Sequence, residues 1–381
     1  MIYFDNAATT MLKPPAVAQA VANAINTFGG VGRGAHDAAL SADLQVFRAR
    51  ASIAKLFNCP EPKNVAFALN ITEALNIVID GLLASGDHAI TTAASHNSVL
   101  RPLFRKRDRE GVEVSIVPID KQGLFDFADY EAAFKPNTKL VVATHASNLT
   151  GDIYDVTRMA AIAHEHGALF VIDAAQTAGN THIDMQEMGI DIVTFTGHKS
   201  LYGPQGTGGL CLGSGIELPS YKEGGSGTHS YDERQPDFMP EHLEAGTQNG
   251  HGIAGLAAGL AYIEEHGETN LGAANAALAN RFEAGVKDLP GVKIYGRQGD
   301  CGNTGIVALN VGDVDSGVIS DLLNRGWDIC TRPGAHCAPL MHESLGTVEQ
   351  GAVRFSFSHF NTEEEVDVAI AALKEIIEDL Q

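Results

Sequence analysis

Lys199 and Asp173 each follow a short apolar segment, at residues 190–193 and 169–172 respectively. A lysine amine can form a Schiff base with pyridoxal phosphate, and a carboxylate can hold the protonated nitrogen of its pyridine ring. Each residue also has an ordinary alternative, since lysines are common at surfaces and a strand-end aspartate often caps the next turn. The two together favour a pyridoxal phosphate site.

The neighbours of Lys199 indicate a ligand pocket. Thr196 and His198 flank it with a hydroxyl and an imidazole, and residues 203–209 are rich in glycine. Glycines let a backbone approach a ligand closely. A lysine in such a pocket loses its proton more easily, as Schiff-base chemistry requires.

A possible anion site follows the apolar segment 65–69, where Asn70, Ile71 and Thr72 open a predicted helix. The backbone amides of such a helix start, with the Thr72 hydroxyl, could hold a phosphate. The alternative is plain N-capping by Asn70, with Glu73 returning the hydrogen bond.

Three more polar residues follow predicted strands. His96 could stack on a planar ring or move protons, and Asn148 and Gln176 could bond the oxygen on that ring. Each could equally be an ordinary loop residue, because the chain has 15 histidines and polar loops are common.

Cys337 and Arg354 are the candidates in the last quarter of the chain. Cys337 lies in a loop with glycine, proline, Arg332 and His336, where a reactive thiolate is expected; the alternative is a small buried residue. Arg354 alternates with aromatic residues and could hold a carboxylate with two parallel hydrogen bonds. Its alternative is a surface charge on an edge strand.

Strands that alternate with helices must position these residues. Candidate strands are residues 65–69, 88–92, 112–118, 140–144, 169–173, 192–196 and 208–212. Candidate helices between them include 72–83, 98–109 and 155–166. This alternation predicts an α/β fold with a mostly parallel sheet covered on both faces.

The C-terminal part has a different pattern. Residues 213–250 contain few apolar residues and predict loops, possibly with a hairpin. Helices are then predicted at 253–265, 270–287, 316–325 and 362–380, and strands at 292–295, 305–311 and 353–358. We therefore expect a large domain, residues 15–252, and a smaller α+β domain, residues 1–14 and 253–381.

Composition excludes several classes of protein. The net charge of −21 over 381 residues disfavours nucleic-acid binding. No apolar stretch is long enough to cross a membrane, and the N-terminus lacks the pattern of a signal peptide. Five scattered cysteines, without a metal-binding spacing, predict reduced thiols and a cytoplasmic location, and we expect no metal site. Dinucleotide-binding and P-loop glycine motifs are missing from the sequence.

Four motifs together resemble the cysteine desulfurase and selenocysteine lyase family, which has the class V aminotransferase fold. They are the opening segment 4–10, residues 197–204 around Lys199, the loop 332–337, and Arg354 with residues 361–362. The resemblance covers essentially the whole chain. It implies fold type I of the pyridoxal phosphate enzymes, with a seven-stranded sheet in the large domain. The short interval between Cys337 and Arg354 resembles the short-loop, SufS-like branch.

The resemblance also implies roles for individual residues. His96 would stack on the ring and move protons, Asp173 would pair with the ring nitrogen, and Arg354 would bind the substrate carboxylate. The other implied cofactor contacts are Ile71, Thr72, Asn148, Gln176, Thr196, His198, Gly246 and Thr247. Gly246 and Thr247 would reach the phosphate across a homodimer interface, and Arg33, His36 and Arg332 would help to bind substrate.

The implied reaction converts L-cysteine to L-alanine and leaves the sulfur on Cys337 as a persulfide, from which a protein acceptor could take it. Three alternatives remain at this point. They are selenocysteine lyase, another class V aminotransferase or lyase in which Cys337 is idle, and a scaffold without cofactor.

Overall fold

The computed structural model describes residues 1–32, 34–296 and 302–380. Over these ranges the strands are β1 Ile2–Tyr3, β2 Val65–Ala68, β3 His88–Thr92, β4 Glu113–Val117, β5 Thr138–Thr144, β6 Leu169–Asp173, β7 Ile192–Thr196, β8 Gly208–Leu212, β9 Val292–Tyr295, β10 Ile306–Val311, β11 Ile329–Cys330 and β12 Val353–Ser356. The α-helices are α1 Pro15–Thr27, α2 Asp37–Leu56, α3 Ile71–Leu82, α4 Asn97–Glu110, α5 Phe127–Ala132, α6 Val156–Glu165, α7 Gly250–His266, α8 Glu268–Val286, α9 Ser316–Trp327, α10 Pro339–Leu345 and α11 Glu363–Asp379.

A seven-stranded sheet forms the centre of the molecule, in the order β2-β8-β7-β6-β5-β3-β4. Only β8 runs against its neighbours, while β4, β3, β5, β6 and β7 are parallel. Strands β3, β7 and β8 are buried along their whole length, as expected for a sheet covered on both faces. The predicted α/β class with a mostly parallel seven-stranded sheet is confirmed.

Helices cover both faces because successive side chains of a strand point in opposite directions. In β5, Leu140 and Val142 pack into a core with α3 and α4. Val141 and Ala143 point the other way, into a core with α6 and α7. Since both faces are covered, we expect a ligand site at the carboxyl ends of the strands.

Two smaller sheets lie in the C-terminal part of the chain. β12-β10-β9 form an antiparallel sheet, and β1 pairs in parallel with β11. A separate core joins them to α8, α9 and α11. The first strand therefore packs with residues more than three hundred positions away. The domain boundaries at 14/15 and 252/253 stay a prediction.

The predicted elements agree with the structure to within a few residues, with exceptions. Residues 213–249 contain turns and bends but no strand, so the possible hairpin is wrong. Four helices were not predicted: α1, α2, α5 and α10. None of the helices in the described ranges has the length and apolar character needed to span a bilayer.

Candidate active site

A cavity of about 240 Å³ opens at one edge of the central sheet. Its lining comes from the segments that follow β2, β3, β5, β6 and β7. It consists of Asn70, Ile71, Thr72, His96, Ser98, Thr144, Ala146, Asn148, Asp173, Ala175, Gln176, Thr196, His198 and Lys199. β2 and β7 both run against β8 and hence in the same direction. All five strands therefore deliver their carboxyl ends to this edge, where ligands of parallel sheets bind.

Lys199 lies in this cavity with an unusually acidic ammonium group. Burial, assisted by the positive charges of Arg354 and Arg332 and opposed by Asp173, lowers the pKa of Lys199 to about 8. The lysine amine is therefore far more available as a nucleophile and base at neutral pH than an ordinary lysine.

Asp173, the last residue of β6, is 3% exposed. Burial raises its pKa, while the Ala175 amide (N to Oδ1, 2.9 Å) and Lys199 act in the opposite direction. A cationic group beside this carboxylate, such as a protonated ring nitrogen, would favour its charged form.

His96 is the N-cap of α4 and is held in one orientation. Its Nδ1 accepts a hydrogen bond from the Ser98 amide at 3.0 Å and lies 2.7 Å from the Ser98 hydroxyl. Burial, followed by Lys199 and nearby arginines, lowers the pKa of His96 to about 4. A neutral imidazole that accepts at Nδ1 carries its proton on Nε2. His96 can therefore offer a flat neutral ring with an N–H group to the cavity.

Three buried polar atoms of the cavity wall have no hydrogen-bond partner in the described part of the chain. They are Thr196 Oγ1, His198 Nδ1 and Asn148 Oδ1. Burial, then Lys199 and Lys13, lowers the pKa of His198 to about 4. Buried polar atoms usually have a partner, and three unpartnered ones around one cavity leave hydrogen-bonding capacity for a ligand there. Together with a lysine and an acid, they fit a planar cofactor with several polar substituents.

The N-terminus of α3 completes the wall. Asn70 caps this helix by accepting from the Glu73 amide at 3.1 Å. The amides of Ile71 and Thr72 have no acceptor within the helix, as at every helix start. They are therefore available to an anion such as a phosphate. Capping and anion binding, treated as alternatives for this segment, are compatible here.

Gln176 lines the cavity, but its side-chain amide is partly used. Gln176 Nε2 donates to the carbonyl oxygen of Ala7 at 3.2 Å. Its Oε1 is not engaged in that bond. The residue thus connects the N-terminal segment to the cavity wall.

Arg354 is 1% exposed, so the surface-charge alternative is wrong. Its guanidinium donates to Asp5 Oδ1 and to the Asn148 carbonyl oxygen, each at 2.8 Å, while Nε has no partner among the described residues. The backbones of Arg354 and Arg332 pair with each other. Arg354 is therefore held beside the cavity residue Asn148, and Arg332 lies next to Arg354 through their backbones.

Cys337 is exposed, so the reading as a small buried residue is also wrong. Its carbonyl oxygen accepts from the Asn97 amide at 2.9 Å. The carbonyl of His336 accepts from Asn148 Nδ2 at 2.7 Å. His336 and Cys337 both have positive φ, 51° and 57°. The loop is thus tied to two cavity segments, and Asn97 directly follows the cavity residue His96.

Arg332, Arg354 and Cys337 lie beside the cavity without lining it. Four further predicted site residues lie away from it or outside the described ranges. Gly246 and Thr247 line a different pocket of about 90 Å³ in the same chain. His36 caps α2, where its Nδ1 accepts weakly from the Ala39 amide at 3.4 Å. Arg33 lies outside the described residues.

The sequence is similar to those of known proteins along essentially the whole chain. The sequence profile of the aminotransferase class-V family matches residues 2–368. The chain belongs to this family. A probable cysteine desulfurase of Methanothermobacter thermautotrophicus is 33% identical over 382 residues, which cover 98% of this chain and 94% of the relative. Cysteine desulfurase CsdA of Escherichia coli is 30% identical over 99% of this chain and 94% of its own length.

Solved structures agree with this class-V assignment. A cysteine desulfurase of Thermococcus onnurineus without ligand, 31% identical, superimposes with a TM-score of 0.90 over 99% of this chain and 95% of that chain. Escherichia coli CsdA in an S-sulfonic acid form, 29% identical, superimposes with a TM-score of 0.89 over 99% and 94%. The predicted family and fold type are confirmed.

Two residues that contribute to this site were not predicted from the sequence. Ser98 fixes the tautomer of His96, and its position two residues after an N-cap histidine was an available signal. Asp5 pairs with Arg354, but the two are 349 positions apart and no local pattern connects them.

Proposed function

We propose that this protein is a pyridoxal-phosphate-dependent cysteine desulfurase, which converts L-cysteine to L-alanine and retains the sulfur as a persulfide on Cys337. One observation carries the proposal: an exposed thiol stands on a loop that is hydrogen-bonded to two segments of the Lys199 cavity. The names of the relatives support the same activity.

Different cavity residues would bind different groups of the cofactor. Asp173 would face the ring nitrogen and His96 the ring face, while Asn148 and Gln176 would bond the ring oxygen. Ile71 and Thr72 at the start of α3, with Thr196 and His198, would hold the phosphate. When bound, pyridoxal phosphate supplies an aldehyde that condenses with amines and a ring that withdraws electrons from the substrate α-carbon.

The reaction needs a base and a carboxylate site. Lys199 Nζ, whose pKa is about 8, would accept the α-proton of the substrate. Arg354 would bind the substrate carboxylate, because its Nε is unpartnered and its remaining donors are already oriented by Asp5 and Asn148. Arg332, paired with it through the backbone, would add positive charge at the entrance.

Cys337 would perform the sulfur step. Its thiolate attacks the substrate sulfur, so that a sulfur–sulfur bond forms while the carbon–sulfur bond breaks. The electron pair of the broken bond remains on the substrate carbon, which takes up a proton to give the methyl group of alanine. The product on the enzyme is a persulfide, which a thiol of an acceptor protein could then receive.

A homodimer would complete the site. Leu40, Leu44 and Phe47 are 53%, 49% and 56% exposed and lie on one face of α2, as an interface helix requires. Gly246 and Thr247 line a pocket outside the Lys199 cavity, which is consistent with a contact to the partner's cofactor. His36 and Arg33 would stand at the entrance.

Two further proposals concern class and location. The cysteine loop between β11 and α10 is short, which supports the short-loop branch of the family. The four cysteines in the described ranges are free, which supports a reducing, cytoplasmic environment.

The test is a persulfide assay. Protein loaded with pyridoxal phosphate should form alanine and labelled Cys337 persulfide from L-cysteine. The Cys337→Ser variant should lose persulfide formation but still exchange the substrate α-proton with solvent deuterium, because that step depends on Lys199. The matched control is Cys330→Ser, since Cys330 lies in the same region, is partly exposed, and its sulfur accepts one weak hydrogen bond, from Asn324 Nδ2 at 3.7 Å.

Three results would separate the alternatives. Full sulfur release by Cys337→Ser would refute the role of this thiol. Turnover of selenocysteine without turnover of cysteine would identify a selenocysteine lyase. Formation of a keto acid in place of alanine would identify an aminotransferase.

A further inference from the structure

A buried row of hydrogen bonds lies behind the Cys337 loop. His336 Nε2 is 2.9 Å from the carbonyl oxygen of Arg332, and His336 Nδ1 is 3.4 Å from His342 Nε2. His342 Nδ1 is 2.7 Å from Thr347 Oγ1. The two imidazole rings are almost parallel, at an angle of 7°. His336, His342 and Thr347 are all buried, and we refer to them as the His-His-Thr row.

The partners fix the direction of every bond in this row. A carbonyl oxygen can only accept, so His336 carries its proton on Nε2 and accepts at Nδ1. His342 must then donate from Nε2, and its Nδ1 accepts from the Thr347 hydroxyl. Burial lowers the pKa of both histidines, which keeps both rings neutral as this pattern requires. The carbonyl of Arg332 therefore determines the tautomer of both rings, and the Thr347 hydroxyl completes the row by donating to His342 Nδ1.

The row ends at the residue before the nucleophilic thiol. His336 has a positive φ of 51°, and Cys337 has one of 57°. Residues with side chains adopt this conformation only when surrounding contacts hold it. The His336 ring is bonded to Arg332 and His342, and its carbonyl is bonded to Asn148. Both the ring and the backbone carbonyl of His336 are thus held by hydrogen bonds.

We propose that His342 and Thr347 are positioning residues for sulfur transfer, which hold His336 and thereby the left-handed turn that aims Cys337 at the substrate. The proposal rests on the proposed desulfurase activity. Neither residue lines the Lys199 cavity, so they should affect the Cys337 step and leave the Lys199 step unchanged.

The test uses the pair Thr347→Val and Thr347→Ser. Valine keeps the shape and removes the hydroxyl, whereas serine keeps the hydroxyl. Thr347→Val should slow persulfide formation about tenfold, the effect of losing one hydrogen bond to a positioned group, while α-proton exchange stays within about twofold of the wild type. Thr347→Ser should restore the persulfide rate.

A second measurement does not depend on turnover. Amide hydrogen exchange of residues 332–338 should be faster in Thr347→Val than in the wild type and in Thr347→Ser. The matched control is Ser344→Ala, which removes a hydroxyl that bonds only the Leu340 carbonyl within α10. This variant should match the wild type in both measurements.

Several outcomes would overturn the proposal. These are a wild-type persulfide rate in Thr347→Val, an equal loss of persulfide formation and proton exchange, or a Thr347→Ser variant as slow as Thr347→Val. If wild-type protein forms no persulfide at all, the proposed function fails instead. Unchanged amide exchange in Thr347→Val would then reject the positioning role separately.

Discussion

The pKa of Lys199 leads to a prediction that can be worked through quantitatively. With a pKa of about 8, about one tenth of the amine is neutral at pH 7, against about 0.03% for an ordinary lysine. The difference is about 300-fold in the concentration of the reactive form. Lys199 should therefore react with pyridoxal phosphate at neutral pH far faster than a free lysine side chain, and its rate should reach half of its maximum near pH 8.

Two substitutions should move this midpoint in opposite directions. Asp173 raises the pKa of Lys199 and Arg354 lowers it. Removing the negative charge in Asp173→Asn should therefore shift the midpoint below pH 8, because the ammonium form loses a stabilising neighbour. Removing the positive charge in Arg354→Gln should shift the midpoint above pH 8. An effect of burial alone would leave both midpoints in place.

The assay follows the absorbance of the protein on mixing with pyridoxal phosphate between pH 6 and pH 10, with N-acetyl-lysine as the reference for titration of the aldehyde. Borohydride reduction and peptide mapping identify the reacting lysine. This step is needed because burial also lowers the pKa of Lys13 to about 8. A midpoint near the ordinary lysine pKa, an unmodified Lys199, or two variants shifting in the same direction would refute the reasoning.

Three predictions concern stability and are checked by urea unfolding. Burial lowers the pKa of His145 to about 4 from 6.5, so the unfolded state binds more protons between these values and stability is lost as pH falls. From pH 7 to pH 5 His145 should account for a loss of about 2 kcal/mol, absent in His145→Gln. Glu244→Gln breaks the buried ion pair with Arg50 (2.7 Å) and should lower the free energy of unfolding by about 3–5 kcal/mol. The double variant with Arg50→Met should lose less than the sum of the two single variants, and additive losses would show that the two residues are not coupled. Gly272→Ala would place a Cβ atom 1.9 Å from a carbonyl oxygen and should lower the free energy of unfolding by at least about 1–3 kcal/mol. Gly326→Ala, whose Cβ would have no atom within 4 Å, should raise the free energy of unfolding by about 0.5–1 kcal/mol.

The central sheet could be predicted because its signal is local. Strands buried on both faces, such as β6 and β7, read as continuous apolar runs followed by polar residues. The same rule placed Asp173 and the residues around Lys199 at strand ends, and parallel strands bring their ends to one edge. Prediction of the cavity required no knowledge of distant contacts.

In two of the unpredicted helices, α2 and α10, the local sequence does not have a clear helical pattern. In α2 the apolar residues Leu40, Leu44 and Phe47 are exposed, so its apolar pattern does not distinguish a single core-facing stripe. At the start of α10, the sequence Cys337-Ala338-Pro339 has the composition of a loop. Proline is nevertheless suitable at the first position of a helix, where its missing N–H has no intrahelical partner to lose.

Contacts that hold the site residues in place could not be predicted, because they are either distant in sequence, as for Arg354 with Asp5, or follow no periodic pattern, as in the His-His-Thr row. Ring orientation in the His-His-Thr row depends on Thr347 and on a carbonyl at position 332. No periodicity or spacing indicates that two histidines six positions apart will hydrogen-bond to each other. A sequence therefore identifies reactive groups more readily than the contacts that orient them.

The N-terminal segment shows how residues outside the cavity can orient a residue of the site. Phe4, Asp5 and Asn6 belong to the segment that resembles the family's opening motif, yet none of them lines the Lys199 cavity. Asp5 instead holds Arg354 at 2.8 Å and bridges Ser356, and Phe4 packs in the core of the C-terminal sheets. A buried arginine without its carboxylate partner is strongly destabilised. The opening of the chain thus supplies the carboxylate that pairs with a buried arginine encoded near its end, which explains how a motif outside the cavity can support the group proposed to bind substrate.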